Sequence, residues 1–237
     1  LIQQVLLQVL QPLIDPSFSN HSHGFRPGRR AHDAVKAARA YVQAGRRVVV
    51  DVDLAKFFDR VNHDILMFCV ERHVEDKQVL RLIRRYLEAG VMSDGVVSHR
   101  QEGAPQGGPL SPLLSNILLD ELDRELERRG HRFVRYADDA NIYVRSPRAG
   151  ERVLASVERF LNHRLKLRLN RDKSRVAGSW KCDYLGYGMS WHSLPRLRVA
   201  TMSLRRVRDR LRELLRGVRG HKMANVIERV NPVLRGW

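Results

Sequence analysis

"FVRYADDANIYVRS", residues 133–146, sets two short apolar runs on either side of two adjacent aspartates. The alternation predicts two strands, and the acids fall where the chain must turn back. Tight hairpin turns usually take Asn-Gly or Asp-Gly. Neighbouring carboxylates repel each other instead. The chain carries 43 Lys+Arg against 26 Asp+Glu, a formal net charge of +17, so a pair of acids at a hairpin tip is out of character. It makes physical sense if cations neutralise it. A third carboxylate within reach would complete an all-oxygen site of the kind that hard divalent ions prefer.

The third acid has an evident source. "RRVVVDVDL", residues 46–54, is a β-branched run that predicts a strand with Asp51 and Asp53 at its C-terminal end. If that strand pairs beside the hairpin, one of the two meets Asp138. Two metals roughly 3.5–4 Å apart could then clamp an in-line phosphoryl transfer, one activating the attacking hydroxyl and one steadying the leaving pyrophosphate. Alignment and charge stabilisation supply most of the catalysis in such reactions.

Helical spacing surrounds these strands. It predicts helices over 1–14, with Leu1, Val5, Leu6, Val9, Leu10 and Leu13 as the apolar set, and over 31–44, stopped by Gly45. Asn62 caps a helix to about His73, and another runs to Gly90. "VMSDGVVSHRQ" reads as a hairpin turning at Asp94-Gly95. After the rigid loop "GAPQGGPLSP", Ser111 caps a helix with Pro112 in its first turn; Leu114, Ile117, Leu118, Leu122 and Leu126 form its buried stripe. A helix over 150–165, strands near 174–178 and 183–190, and helix from about 201 complete the pattern. The order of strand, helices, hairpin, helix, strand implies an α+β chain with a split βαβ sheet and helices on one face.

Composition narrows the partners. The excess of positive charge points to a polyanion, and residues 194–229 hold eleven Lys/Arg against three acids, as expected of a nucleic-acid-facing helical module. Cys69 and Cys182 stand far apart without ligands nearby, which excludes a disulfide framework and a structural zinc site. His21 and His23 read as a solvated loop, and His63 as a helix N-terminal residue. No apolar run nears the roughly 20 residues of a membrane span, no signal peptide is evident, and a reducing cytoplasm fits. No membrane partner is expected. The chain starts at Leu1 inside a helix and stops at "NPVLRGW", so it reads as a piece of something longer.

At this point a resemblance enters. "YADD" (136–139) resembles the polymerase hairpin motif of reverse transcriptases, and "VVVDVDLAKFFDRVNH" (48–63) their motif A. "GFRPGRRAHDAV" (24–35), "EGAPQGGPLSPLLSNILLDELDREL" (102–126), "LKLRLNRDKS" (165–174) and "YLGY" (184–187) are similar to further blocks, in the expected order. The wording is that of bacterial group II intron-encoded reverse transcriptases, or maturases, and "NPVLRGW" is similar to their thumb, or X, region. The resemblance implies a right-hand polymerase: incomplete fingers and a palm over 1–190, and a partial α-helical thumb over 191–237. It implies RNA-directed DNA synthesis from RNA template, DNA primer and dNTPs, with group II intron RNA as a second partner in splicing and retrohoming.

Residue by residue, the resemblance assigns Asp53, Asp138 and Asp139 to catalysis and to two Mg²⁺ ions, for which Mn²⁺ may substitute, with the Leu54 carbonyl assisting. It places Phe58, or the adjacent Phe57, as an aromatic gate against the sugar 2′ position. Gln106 lies in a turn that approaches the nucleotide, Arg26 is positioned to pair triphosphate oxygens, and Lys173 to neutralise or protonate pyrophosphate. Leu185 and Gly186 belong to the turn that grips the primer. Two other readings remain: an RNA-binding maturase without polymerase activity, and a related reverse transcriptase of a retron, diversity-generating or CRISPR-linked element. A nucleotide cyclase also places paired acids on a palm-like sheet, but has no use for such a basic tail.

Overall fold

The computed structural model describes the chain except residues 90, 94, 95, 99–101, 106, 193, 219, 221 and 237; for 91–93 and 96–98 it describes the backbone alone. It divides into two compact units, Leu1–Ser179 and Trp180–Trp237.

The first unit is organised around one sheet. Its strands are β1 (Val48–Val52), β4 (Arg132–Tyr136), β5 (Asp139–Val144) and β6 (Arg175–Gly178), in the order β4-β5-β1-β6. β1 runs antiparallel to both neighbours, with Val50 opposite Ile142 and Val176, and Asp51 opposite Asn141 and Arg175. Side chains alternate across a strand, so this register sorts the two faces. Val48, Val50, Val52, Ala140, Ile142 and Val144 join one continuous core. Val49, Asp51, Asn141 and Tyr143 therefore point the other way.

Helices lie on the first face. α5 (Ser111–Arg128) and α6 (Pro147–Phe160), the latter extended by a π-helical turn at Leu161–Leu165, pack on the strands; α3 (His63–Glu71) packs on α5 and α4 (Lys77–Glu88) on α3. All five expected stripe residues of α5, together with its neighbours Leu113 and Leu119, are core. The second face is covered at one end. There α2 (Ala31–Gln43) packs on β4 and β5, with the Tyr41 ring 5.6 Å from that of Tyr143. The segment around Ser22 bridges to Arg135 on the outer strand, through His23 N–H to the Arg135 carbonyl at 2.8 Å and Arg135 N–H to the His21 carbonyl at 2.9 Å, which shields an otherwise open edge.

Several expectations shift. Asn62 caps α3 as read, accepting from the Ile65 amide at 3.0 Å. Ser111 does not cap α5; it is the first helical residue, and its hydroxyl donates to the Pro105 carbonyl at 2.5 Å. On α1 (Ile2–Ile14), Leu10 and Ile14 are buried while Leu1, Val5, Val9 and Leu13 are exposed, so only part of the apolar set meets the core. α6 starts earlier than its pattern suggests, because Ser146 caps it, accepting from the Ala149 amide, with Pro147 at its first position. The strands β2 (Val91–Ser93) and β3 (Val96–Ser98) pair as expected; their turn residues Asp94 and Gly95 lie outside the described residues.

In the second unit, the expected strand over 183–190 shrinks to β7 (Tyr187–Met189), paired with β8 (Leu197–Val199), which sequence reading missed. α7 (Thr201–Leu215) and α8 (Met223–Gly236) follow and pack on each other. Tyr184 and Tyr187 exchange backbone hydrogen bonds of 2.7 and 2.9 Å around Leu185 (φ 50°) and Gly186 (φ 82°), the two positive-φ residues of a primed turn.

Candidate active site

The two acids of the opening motif lie at one end of the uncovered face. Tyr136 pairs with Asp139, leaving Ala137 and Asp138 as the two-residue tip. Ala137 has φ 57°, a left-handed conformation that glycine normally takes. The strain is held from three directions. Gly24 lies so close that a Cβ on it would stand 2.2 Å from the Ala137 nitrogen. Asn116 of α5 donates to the Gly24 carbonyl at 2.9 Å. From beneath, Arg135 donates to the Ala137 carbonyl at 2.8 Å and to Asn116 at 2.9 Å.

Arg135 is wholly buried. Its guanidinium forks onto Asp123 of α5, with Nε 2.9 and 3.0 Å from the two carboxylate oxygens and Nη2 2.6 Å from one. Burial pushes the Asp123 carboxyl up and Arg135 pulls it down. Breaking one side of such a pair strands a charge in the core, which costs about 3–5 kcal/mol. The hairpin tip is thus anchored to α5 by charge, and its shape is not free to relax.

β1 brings the remaining acids. Asp139 is pushed up to about 7, first by burial and then by the carboxylates of Asp51, Asp138 and Asp53. Asp51, itself raised by burial and by Asp53, is restrained by Arg175, 3.7 Å away. Asp53 is met by Lys173 at 3.8 Å. The segment before β6 fixes the end of β1: Asn170 donates its amide to the Asp53 carbonyl at 2.9 Å, and the Ser174 hydroxyl bonds both the amide and the carbonyl of Asp53, at 3.0 and 3.1 Å.

The expected triad is therefore brought together, with Asp51 as a fourth acid whose charge acts on Asp139 ahead of the others. Its donors are hard oxygens, and Asn141 Oδ1, buried on the same face, has no hydrogen-bond partner. That donor set fits a divalent cation in kind. In spacing it is open: among the described residues no three acids, histidines or cysteines form a ready metal cluster.

The other candidates separate. Phe57 is a core residue, 3% exposed, whereas Phe58 is half-buried against it with ring centroids 5.2 Å apart, so only Phe58 presents a face to a ligand. The Phe58 carbonyl accepts from the Ala104 amide at 2.6 Å, which docks the "GAPQGG" loop beside it. Gln106 in that loop lies outside the described residues.

Arg26 is not available as expected. It is 7% exposed, pairs with Asp15 at 2.9 Å and donates to the carbonyls of Asp15, Ser19 and Ser22 at 2.7, 2.6 and 3.1 Å, so its fork is committed to protein acceptors. Leu185 and Gly186 form the tight turn of the second unit.

Two of the histidines also differ from expectation, whereas His63 opens α3 as read. His63 is buried and bonds the Gly103 carbonyl at 2.7 Å, fastening the same loop to α3. Neither His21 nor His23 sits in an open loop: His21 is half-buried and bonds the Tyr41 hydroxyl at 3.0 Å, and His23 is buried, its pKa lowered by burial to about 4. No helix among the described residues is long and apolar enough to cross a membrane.

Comparisons with known proteins bear on the family and the fold. The sequence model described as reverse transcriptase (RNA-dependent DNA polymerase) matches residues 1–189, and that described as group II intron, maturase-specific domain matches residues 204–237. Protein YkfC of Escherichia coli is 30% identical over 214 residues, covering 74% of this chain and 56% of its own. Group II intron-encoded protein LtrA of Lactococcus lactis is 32% identical over 176 residues, covering 74% of this chain and 28% of its own. The chain thus spans about half, or less, of the relatives it matches. Among solved structures, a telomerase from Candida albicans superposes with a TM-score of 0.64 at 16% identity, over 99% of this chain and 46% of that one. That likeness is one of fold: an α+β polymerase fingers and palm.

Proposed function

The chain belongs to the reverse transcriptase family and carries a group II intron maturase segment at its C-terminal end, and from that premise we propose that it is an RNA-directed DNA polymerase of group II intron type. The observation that carries this reading is the gathering of Asp51, Asp53 and Asp138 around Asp139 on the uncovered face of the sheet. A like-charged cluster of that kind is costly unless cations share it.

In this reading residues 1–190 supply fingers and palm, and 191–237 part of a thumb. Asp53, Asp138, Asp139 and the Leu54 carbonyl would hold two Mg²⁺ ions, or Mn²⁺ in their place, which supply an activated primer hydroxyl and a stabilised pyrophosphate. The chain's own residues do the positioning. The Arg135–Asp123 pair and Gly24 set where the hairpin acids sit. Phe58 lies under the incoming sugar and excludes a 2′-hydroxyl by contact. Lys173, already beside Asp53, is placed to meet phosphate charge and to pass a proton to the leaving group. Gln106 would approach the nucleotide through its loop, and the Leu185–Gly186 turn would grip the primer end.

The basic helices α7 and α8 would track RNA phosphates. The maturase-specific segment overlaps them, which supports intron RNA binding and a splicing role beside polymerisation. The test is primer extension on an RNA template with dNTPs and Mg²⁺, with the parent chain and Asp138→Asn in parallel. Extension by the parent alone supports the polymerase and its acids. Equal extension by both overturns the assignment of Asp138. Extension by neither, with salt-sensitive RNA binding retained, leaves the chain an RNA-binding maturase module.

A further inference from the structure

The end of the sheet opposite the acids carries the reverse problem. A cavity of about 570 Å³ opens there between the end of α5, the start of β4, the end of β5 and α6. Arg46, Arg129, Arg132, Arg145, Arg152 and His131 line it, and no acid does. Arg129 is paired with Glu125 and bonds Ser156. Arg46, Arg132, Arg145 and Arg152 have no ion pair among the described residues.

Several guanidinium groups around one opening repel each other as the carboxylates do, and they are relieved by anions. Guanidinium presents its donors as a planar fork that matches phosphate oxygens two at a time. The volume is that of a ligand cleft rather than of a single ion site.

Position separates this cavity from the acids. Asp139 begins β5, and Arg145 follows its last residue. Six residues of extended chain span roughly 20 Å. Primer and template held at the acids would therefore need to cross the length of the sheet to reach it.

We propose that this arginine-lined cavity is a second RNA site, which takes the phosphate backbone of a structured RNA outside the polymerase cleft. The proposal rests on the reading that the chain's partner is RNA, and adds where a non-template RNA is held. Its natural occupant is a folded RNA element that presents several phosphates at once, since a polyanion that bridges several guanidinium forks gains from each.

The test compares three chains: the parent, Arg132→Gln/Arg145→Gln/Arg152→Gln, and a control with the same charge loss on α4, Lys77→Gln/Arg81→Gln/Arg85→Gln. All six side chains are exposed, so the fold should be kept. Affinity for a stable RNA hairpin without a primer terminus is measured from 50 to 300 mM salt. Each lost phosphate contact lowers the slope of log affinity against log salt by about 1. The cavity variant is expected to lose about 2 to 3 in slope, the control less than 1, and extension of a short primer–template to stay at the parent rate with the cavity variant.

Equal slopes for the two variants would reduce the effect to net charge and overturn the proposal. So would a variant whose hairpin binding is intact but whose response to inorganic phosphate, titrated alone, is lost, because the site would then hold free anions and not RNA. A parent chain that binds no RNA would overturn the RNA reading itself, a separate result that binding reports without any polymerase activity.

Discussion

Asp139→Asn should make the metal-free chain more stable while it removes nucleotide addition. Asp139 sits at about 7 against an ordinary value of 3.8, through burial and the charges of Asp51, Asp138 and Asp53. A carboxyl raised in this way favours the folded state only while protonated. Below pH 4 it costs nothing in either state. As pH climbs from 4 to 7 the unfolded chain ionises first, so folded stability falls; above 7 both states are ionised and the loss is constant.

Three pKa units correspond to about 4 kcal/mol at pH 8, and the same relation gives about 2 kcal/mol at pH 5. These are upper bounds, since water at the open face screens part of the repulsion. Asparagine keeps the shape and abolishes the titration. Urea denaturation in EDTA at pH 5 and pH 8 measures the difference directly. The variant should exceed the parent at both, and by more at pH 8. Mg²⁺ should then stabilise the parent, because a cation that binds only the folded state adds RT ln(1 + [L]/Kd), and should do so much less for the variant. A gain that is absent, or equal at the two pH values, would show that the carboxylates do not crowd Asp139 and would remove the physical case for a cation there.

Gly24→Ala places a methyl group on the backbone of the hairpin tip. Overpacking of this kind costs about 1–3 kcal/mol, and a displacement of the acids near 1 Å lowers a positioned reaction by up to about 10²-fold; primer extension should fall by that order while hairpin RNA affinity stays at the parent level, and parent-like extension would show that Gly24 does not set the tip. The two phenylalanines should part company. Phe57→Ala should lose about 3–5 kcal/mol of stability as a core cavity, whereas Phe58→Ala should change stability less and admit ribonucleotides; unaltered discrimination by the Phe58 variant would dismiss it as the sugar gate.

What could be read in the sequence follows from how local each signal is. β1, the hairpin, α2, α3 and the stripe of α5 are legible because their periods, and at α3 the Asn62 cap, are contained in the segments themselves. The acids were legible because their chemistry conflicts with their position, whatever surrounds them. Arg135 was not. Alternation puts it on the same face as Phe133, where an arginine looks like an error, and only Asp123 and Asn116 on a distant helix make the placement tolerable. Arg26 failed for the same reason: a guanidinium in a Gly/Pro loop looks free until Asp15 and three carbonyls are found around it. His63 was read as part of a helix start, and the Gly103 carbonyl that occupies it lies 40 residues away. β8 is three residues long and has no period to show.

The two charged ends of the sheet obey one rule with opposite signs. At the C-terminal end of β1, four carboxylates gather on the face that α2 covers only at the far end, and burial forces the question of what neutralises them. At the other end, guanidinium groups gather around a cavity that no acid lines. Neither cluster helps the chain to fold by itself, since like charges cost stability wherever they meet. A protein with +17 net charge has basic residues to spare for pairing Asp51 and Asp53, yet among the described residues those acids have ion pairs only with Arg175 and Lys173, at the edge of contact, at 3.7 and 3.8 Å. By contrast, where charge serves the fold, the pairing is close and forked, as at Arg135–Asp123 and Arg26–Asp15. Close, forked pairing is what a structural charge needs, and the absence of it at both ends of the sheet is the physical argument behind the two ligand sites proposed above.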